Sequence, residues 1–333
     1  MEIRRKGAQT VSVGSLSVAT TGEDASMAGP ARVPGTPAAA RIGRSVRHLV
    51  LGGRRHDIEH RALVMGILNR TPDSFYDQGA TFALDALLRR AEKLVAQGAD
   101  LLDVGGVKAG PGPEVGEAEE LERVVPAIEA IAARFDVPVS VDTWRASVAK
   151  ASFEAGAVVG NDISGFADPQ YLDVAARAGA SVVATHIRLA PRVPDPDPVY
   201  VDVVATVAGF LAGLADRAME AGVPGECVML DAGLDLGKSA EQSLALLRAS
   251  NVVAGLGHPL LLSASNKTFL GTLLGLEIGE RREASLAAAA LGVTLGCRIL
   301  RVHDVAGTVR VRDALAAVLS ERGGEPVPAH RTR

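Results

Sequence analysis

Cysteine, aromatic side chains and lysine are all scarce in this 333-residue chain. Two cysteines, Cys227 and Cys297, cannot build a disulfide framework, and no CxxC or Cys/His spacing suggests zinc, so both are expected to be small core residues. With 3% aromatic against 47% hydrophobic residues, the core must be assembled from Val, Leu, Ile and Ala, which suits buried parallel strands and the helices that cover them. No apolar run approaches the roughly 18 to 20 residues of a membrane span, and the N-terminus has no apolar stretch of the kind a signal peptide needs. A cytoplasmic protein without a membrane partner is expected. The net charge is −4 with no dense Lys/Arg stripe, which excludes the electrostatic footprint of a nucleic-acid binder. Of the few lysines, Lys108, Lys238 and Lys267 follow closely on apolar runs.

What is present is a recurring unit. Residues 1 to 44 are rich in Gly, Ala, Ser, Thr and Pro without a sustained period and read as a flexible extension, and residues 323 to 333 read as a flexible tail. HLVLGGRRHDIEH (48 to 60) holds two short segments around Gly52-Gly53 and predicts a β-hairpin over the floor of a barrel. From residue 62 onward a short apolar run, a polar or Gly-rich loop and an amphipathic helical stretch follow one another repeatedly. The runs are ALVMGILN (62 to 69), DLLDVGG (100 to 106), VPVSVDT (137 to 143), AVVGND (157 to 162), ASVVATHI (180 to 187), CVMLDAG (227 to 233), PLLLSAS (259 to 265) and RILRVHD (298 to 304). Between them, LDALLRRAEKLVAQ, EELERVVPAIEAIAARF and YVDVVATVAGFLAGLADRAMEA carry apolar residues at helical spacing, and Gly98 and Gly222 supply stop signals. Eight such units predict an α/β fold, a (β/α)₈ TIM barrel spanning residues 45 to 322. An open sheet binding a dinucleotide would want G-x-G-x-x-G after the first run, which instead ends in Leu68-Asn69-Arg70-Thr71-Pro72.

In such a barrel the C-terminal strand ends share one face, where sites are assembled. The residues there are Asn69, Gly105-Gly106 with Lys108, Asp142, Asn161 with Asp162, His186, Asp231, Ser265 with Lys267, and Arg301 with His303. Asn69, Asn161 or Asp162 alone would read as turn formers. As a set, polar and charged groups inside or just beyond apolar runs must pair with each other or await a ligand, because an unpaired buried charge is costly. Carboxylates accept from ring N–H and amine groups, Asn donates and accepts, and Arg can stack on a planar ring. That chemistry suits a flat, nitrogen-rich heterocycle. Lys238 reads equally as a loop cap or an anion contact, and His186 as a core histidine or a ligand contact. Lys108 is either solvated or a substitute cation, His258 is expected on the barrel floor, and Trp144 is expected to pack beneath a loop.

MGILNRTPDSFYDQGA (65 to 80) resembles the first signature of the dihydropteroate synthases, and further matches follow in order: DVGG (103 to 106), SVDT (140 to 143), NDISG (161 to 165), D-x-G-x-x-x-G-K (231 to 238), S-x-K (265 to 267) and RVHDV (301 to 305). The resemblance implies condensation of 6-hydroxymethyl-7,8-dihydropterin diphosphate with para-aminobenzoate, giving dihydropteroate and diphosphate for folate synthesis. It implies that Asp142, Asn161, Asp231 and Lys267 hold the pterin, that Arg301 lies against the ring, and that Arg301 and His303 face the diphosphate. Asn69 would help hold Mg²⁺ on that diphosphate, and Asp142, Lys267, Arg301 and His303 would be the catalytic set. The first signature and RVHDV speak against a pterin-dependent methyltransferase.

Departures from the family pattern cluster away from the pterin. Arg70 stands where valine is usual. The second loop, G-G-E-S-T-R-P-G in the family, reads Gly105-Gly106-Val107-Lys108-Ala109-Gly110-Pro111-Gly112, without the Thr and Arg. Leu236 replaces a phenylalanine that would contact the arylamine, and Asn266 replaces the arginine of S-R-K. This pattern resembles the divergent second paralogue of some actinobacteria. Weakened condensation is expected, with a catalytically inactive pterin-binding regulatory or scaffold protein as the alternative. The family resemblance also implies a homodimer, here through EASLAAAALGVTLG (283 to 296).

Overall fold

The structure, a computed structural model, describes residues 46–70, 79–110 and 112–319, with backbone alone for 79–83. The expected N-terminal extension, the first-loop residues Thr71, Pro72, Asp73, Ser74 and Phe75, and the expected tail lie outside the described residues.

An antiparallel hairpin, β1 (His48–Leu51) and β2 (Arg54–Asp57), turns on Gly52 and Gly53, both with positive φ. Eight parallel strands follow: β3 (Leu63–Asn69), β4 (Leu101–Gly105), β5 (Val139–Asp142), β6 (Val159–Asp162), β7 (Ser181–Thr185), β8 (Val228–Asp231), β9 (Leu260–Leu262) and β10 (Cys297–Val302). They run in sequence order around a closed barrel, with β10 pairing back onto β3. Seven of the expected apolar runs contain their strands, and β10 begins at Cys297, one residue before its run. The covering helices are α1 (Gly79–Ala96), α2 (Glu117–Arg134), α3 (Ala146–Glu154), α4 (Tyr171–Ala178), α5 (Val203–Glu220), α6 (Ala240–Arg248), α7 (Ser250–Ala254), α8 (Thr268–Leu274), α9 (Arg282–Thr294) and α10 (Val305–Leu319). Helix α5 starts later than its apolar pattern suggests because Asp202 caps it, accepting from the backbone N–H of Val204 and Ala205. Tyr200 is thereby left in the loop, where its hydroxyl donates to the Gly237 carbonyl at 2.8 Å.

Two apolar cores result from the period-two alternation of the strands. Leu102, Val104, Val141, Val182, Leu230, Leu262 and Leu300 point outward into the layer shared with the helices. Met65, Leu101, Val159, Val183, Met229 and Ile299 point inward, low in the barrel, and Leu49, Leu51 and Ile58 from the hairpin segment pack onto them. The hairpin therefore closes the N-terminal end, as expected. One inward step higher on the same strands stand Asp103, Asn161, Thr185, Asp231 and Arg301, so the floor of the barrel is apolar and its mouth polar. Among the described residues no helix is long and apolar enough to cross a membrane.

Candidate functional site

The centre of the mouth is an ion cluster. Arg301 on β10 donates from Nε to Asp103 Oδ2 and from Nη2 to Asp142 Oδ2, both at 2.6 Å. Asp103 also accepts from Ser140 Oγ at 2.6 Å and from Asn161 Nδ2 at 3.3 and 3.4 Å. Two neighbouring strands, β4 and β5, thus present carboxylates to one guanidinium, and Asn161 on β6 joins them through Asp103. Burial pushes the Asp142 carboxyl up to about 7; Arg301 opposes this, while Asp103, Glu120 and Asp162 add to it. Asn69 ends β3 and is exposed. A Cβ added at Gly105 would stand 3.7 Å from both Asn69 Oδ1 and Asp142 Oδ2, so the absence of a side chain there keeps those two groups open to each other.

The other wall is built by β8 and β9. Asp231 is buried and accepts from the Gly233 N–H at 2.8 Å; its burial raises its pKa, against that hydrogen bond and the charge of Lys267. Lys267 donates from Nζ to the Leu234 carbonyl at 2.9 Å. Burial pulls the Lys267 pKa down, while Asp235 and Asp231 hold it up. Asp235 also accepts from the N–H groups of Thr268 and Phe269, which fixes the start of α8 beside Lys267. His303 stands at the exposed rim, with its Nδ1 3.0 Å from Ser265 Oγ.

A cavity of about 470 Å³ opens over these groups. Arg301, Lys267, His303 and Ser265 line it together with Ala109, Gly110, Leu236 and the segment from Leu189 to Asp195, which includes the charged Arg192 and Asp195. Arg301 therefore separates the cavity from Asp103 and Asp142. The substituted positions Ala109, Gly110, Leu236 and Asn266 all border this space, while Lys108 is exposed.

The remaining residues singled out in the sequence take structural roles. Asp162 folds its own loop, accepting from the N–H groups of Ser164 and Phe166. His186 is buried against Phe210, with Lys238 Nζ 2.9 Å from its Nδ1, so it is held inside the wall. His258 lies near the floor, 3.2 Å from the Gly225 carbonyl. Trp144 carries the Arg145 guanidinium over its ring at 5.3 Å, and Arg145 in turn pairs with buried Glu120. Sequence reasoning missed Asp103, which makes the most contacts of the cluster. Its signal was a carboxylate in the middle of the apolar run LLDVG.

Among the described residues no group of three or more His, Cys, Asp or Glu side chains could hold a metal. Asn69 offers a single exposed amide oxygen, which fits a Mg²⁺ ion that takes most of its ligands from phosphate oxygens and water.

This barrel, with its polar mouth, matches the family model of the pterin-binding enzymes over residues 65–303. The chain belongs to that family, within the dihydropteroate synthases of folate biosynthesis. The inactive dihydropteroate synthase 2 of Mycobacterium leprae is 44% identical over 270 residues, 79% of this chain and 92% of that protein. The dihydropteroate synthase of Bacillus subtilis is 40% identical over 267 residues, 80% of this chain and 91% of that protein. A solved structure of the Xanthomonas albilineans dihydropteroate synthase with 4-aminobenzoic acid superposes with a TM-score of 0.77 at 37% identity, covering 83% of this chain and all of that one.

Proposed function

We propose that this chain binds 6-hydroxymethyl-7,8-dihydropterin diphosphate in the barrel mouth and condenses it with para-aminobenzoate weakly or not at all. The observation that carries this reading is the asymmetry of the cavity. The cluster of Arg301, Asp103, Asp142 and Asn161 and the Asp231–Lys267 wall keep a full complement of heterocycle-binding groups. Across the cavity Ala109, Gly110 and the aliphatic Leu236 stand where the family carries hydroxyl, guanidinium and phenyl groups, and the charged Arg192 and Asp195 beside them are engaged by the Gly112 and Pro113 carbonyls and by Arg188.

In this reading the pterin's N–H and amine groups donate to Asp142 and Asp231, and Asn161 matches the ring edge. Arg301, displaced from the carboxylates, lies against the ring, while Lys267 donates to it. Arg301 and His303 face the diphosphate. Bound Mg²⁺, resting on Asn69 and the diphosphate, would supply charge stabilisation for the departing group. Asp142, as an anion close to the ring, favours positive charge on the pterin side. What is missing is the order that the lost loop contacts impose on the arylamine, and closure of loops is a step that assembles such sites. If each lost contact is worth about 1 to 3 kcal/mol, two or three lower the rate by several powers of ten. The relative named inactive and the relative named a synthase stand at similar identity, so the cavity wall is the better guide.

Calorimetry with the pterin diphosphate and a diphosphate-release assay test the two halves. Binding strengthened by Mg²⁺ is expected, with Asp142→Ala and Lys267→Ala each weakening it by about 1 to 3 kcal/mol. Turnover equal to that of an ordinary synthase would refute the catalytic half, and unchanged binding in both variants would refute the pocket.

A further inference from the structure

Lys238 is buried in the cavity wall at 8% exposure, yet it has no capacity left for a ligand. Its Nζ lies 2.8 Å from the Gly233 carbonyl, 2.9 Å from the Leu236 carbonyl, 3.3 Å from the His186 carbonyl and 2.9 Å from His186 Nδ1. An ammonium has three protons for those four acceptors. An anion would find neither a free N–H nor a place among three carbonyl oxygens.

The cage exists because two backbones meet there. Gly233 has φ +63°, and a Cβ on it would fall 1.9 Å from the His186 carbonyl oxygen. The strand ends of β7 and β8 are thus pressed together with their carbonyl oxygens converging, an arrangement that repels itself unless a cation sits between them. Lys238 supplies it as an ammonium below neutral pH, since burial pulls its pKa down to about 7. The loop it gathers, residues 231 to 238, carries the two features that set the pterin wall. The Gly233 N–H holds the Asp231 carboxylate, and the Leu234 carbonyl receives Lys267 Nζ.

We propose that Lys238 is a positioning residue: its ammonium binds the converging carbonyls of His186, Gly233 and Leu236 and so sets Asp231 and Lys267 for the pterin, a role that rests on the pterin-binding reading above. It touches no ligand itself. The arrangement requires His186 to accept at Nδ1 and therefore to remain a neutral Nε2–H tautomer. Burial and the Lys238 charge act in that direction, pushing the His186 pKa down to about 3. The charged groups around the cage are Asp231, Asp235 and Lys267, which face Lys238 from the β8 and β9 loops.

Long-range ¹H–¹⁵N spectra of the full-length protein at pH 6 should show His186 neutral, protonated at Nε2 and accepting at Nδ1. Calorimetry with the pterin diphosphate should show a loss of roughly tenfold or more in affinity for Lys238→Met, read at a temperature where its near-UV circular dichroism matches wild type. The His186 Nδ1 resonance should move in the same variant. An imidazolium or an Nδ1–H tautomer in the wild type would overturn the proposal whether or not the variant folds. So would a wild type that binds alongside a Lys238→Met protein that binds within about twofold of it. A wild type that binds no pterin at all would overturn the underlying reading and this role together.

Discussion

Asp142 and Asp103 share one guanidinium, and that shortage of donors is the most informative fact about any single residue here. Burial holds the Asp142 carboxyl at about 7, so below neutral pH the empty site retains a proton that an isolated aspartate would have lost. A heterocycle that donates N–H groups to Asp142 favours its ionised form and lowers its pKa in the complex. Binding should therefore release protons below pH 7, and affinity should rise as the pH is raised through about 7 and then level off. Calorimetry at pH 6.5 in two buffers of different ionisation enthalpy reads this directly; net proton uptake would contradict it. The same shift bears on stability with the opposite sense. Between the unfolded aspartate pKa near 4 and the folded value near 7, the unfolded chain is the more ionised, so this group's contribution to stability is lost as the pH rises across that window.

Helix α2 shows how one element holds the residues that follow two strands, Arg70 after β3 and Gly106 after β4. Pro126 inside the helix has no N–H to give to the Glu122 carbonyl four residues earlier. Arg70, the residue that departs from the usual valine, donates to that carbonyl at 3.2 Å and also to the carbonyl of Arg123. Arg123 in turn donates to the Gly106 carbonyl at 2.7 Å, at the head of the second loop. The Arg70 side chain thus satisfies a backbone group that the proline orphans. Arg70→Val should cost about 0.5 to 1.5 kcal/mol in denaturant unfolding, and clearly less in a Pro126→Ala background, where the helix supplies its own donor. Equal costs in the two backgrounds would show that the contact is incidental.

Over the whole molecule, closure of the barrel depends on joining its last helix to its first strands. Arg312 on α10 is 1% exposed and donates to Asp100 at 2.6 Å and to Asp313 at 2.8 Å. Arg61 reaches both carboxylates, and Asp100 also accepts from the Val64 N–H in β3. Arg312→Ala removes the shorter of the two guanidinium contacts on Asp100 and leaves it with Arg61 at 3.4 Å and the Val64 N–H, so the unfolding free energy should fall by about 1.5 to 3 kcal/mol, the range of a hydrogen bond to a charged group. A loss below 1 kcal/mol, on the order of a surface pair, would refute this assignment. On the outside of the same region, Leu273, Leu274, Ile278 and Leu291 expose apolar surface beside the Ala-rich helix α9. A symmetric homodimer covering this face is expected. Light scattering should report twice the chain mass for the wild type and a shift towards monomer for Ile278→Glu, whereas a monomeric wild type at micromolar concentration would count against it.

The eight runs, their order and the glycine stops were legible because strand length, helix period and turn chemistry are local properties. The hairpin at Gly52-Gly53 was legible for the same reason. Membership of the family and the positions of Asp142, Asn161, Asp231, Lys267 and Arg301 at strand ends followed from motifs in linear order. The roles of Asp103, Lys238 and Arg70 did not, since each depends on a partner far along the chain: Arg301, His186 and the Glu122 carbonyl. Above all, which of two alternate residues on each strand faces the interior could not be read locally. Parallel strands of a barrel bury both faces, so Leu101 and Leu102, or Val182 and Val183, are equally apolar neighbours. Only closure of β10 onto β3 assigned Leu101 and Val183 to the floor, and with them Asp103 and Arg301 to the mouth, because the pleat lets one parity alone converge on the barrel axis.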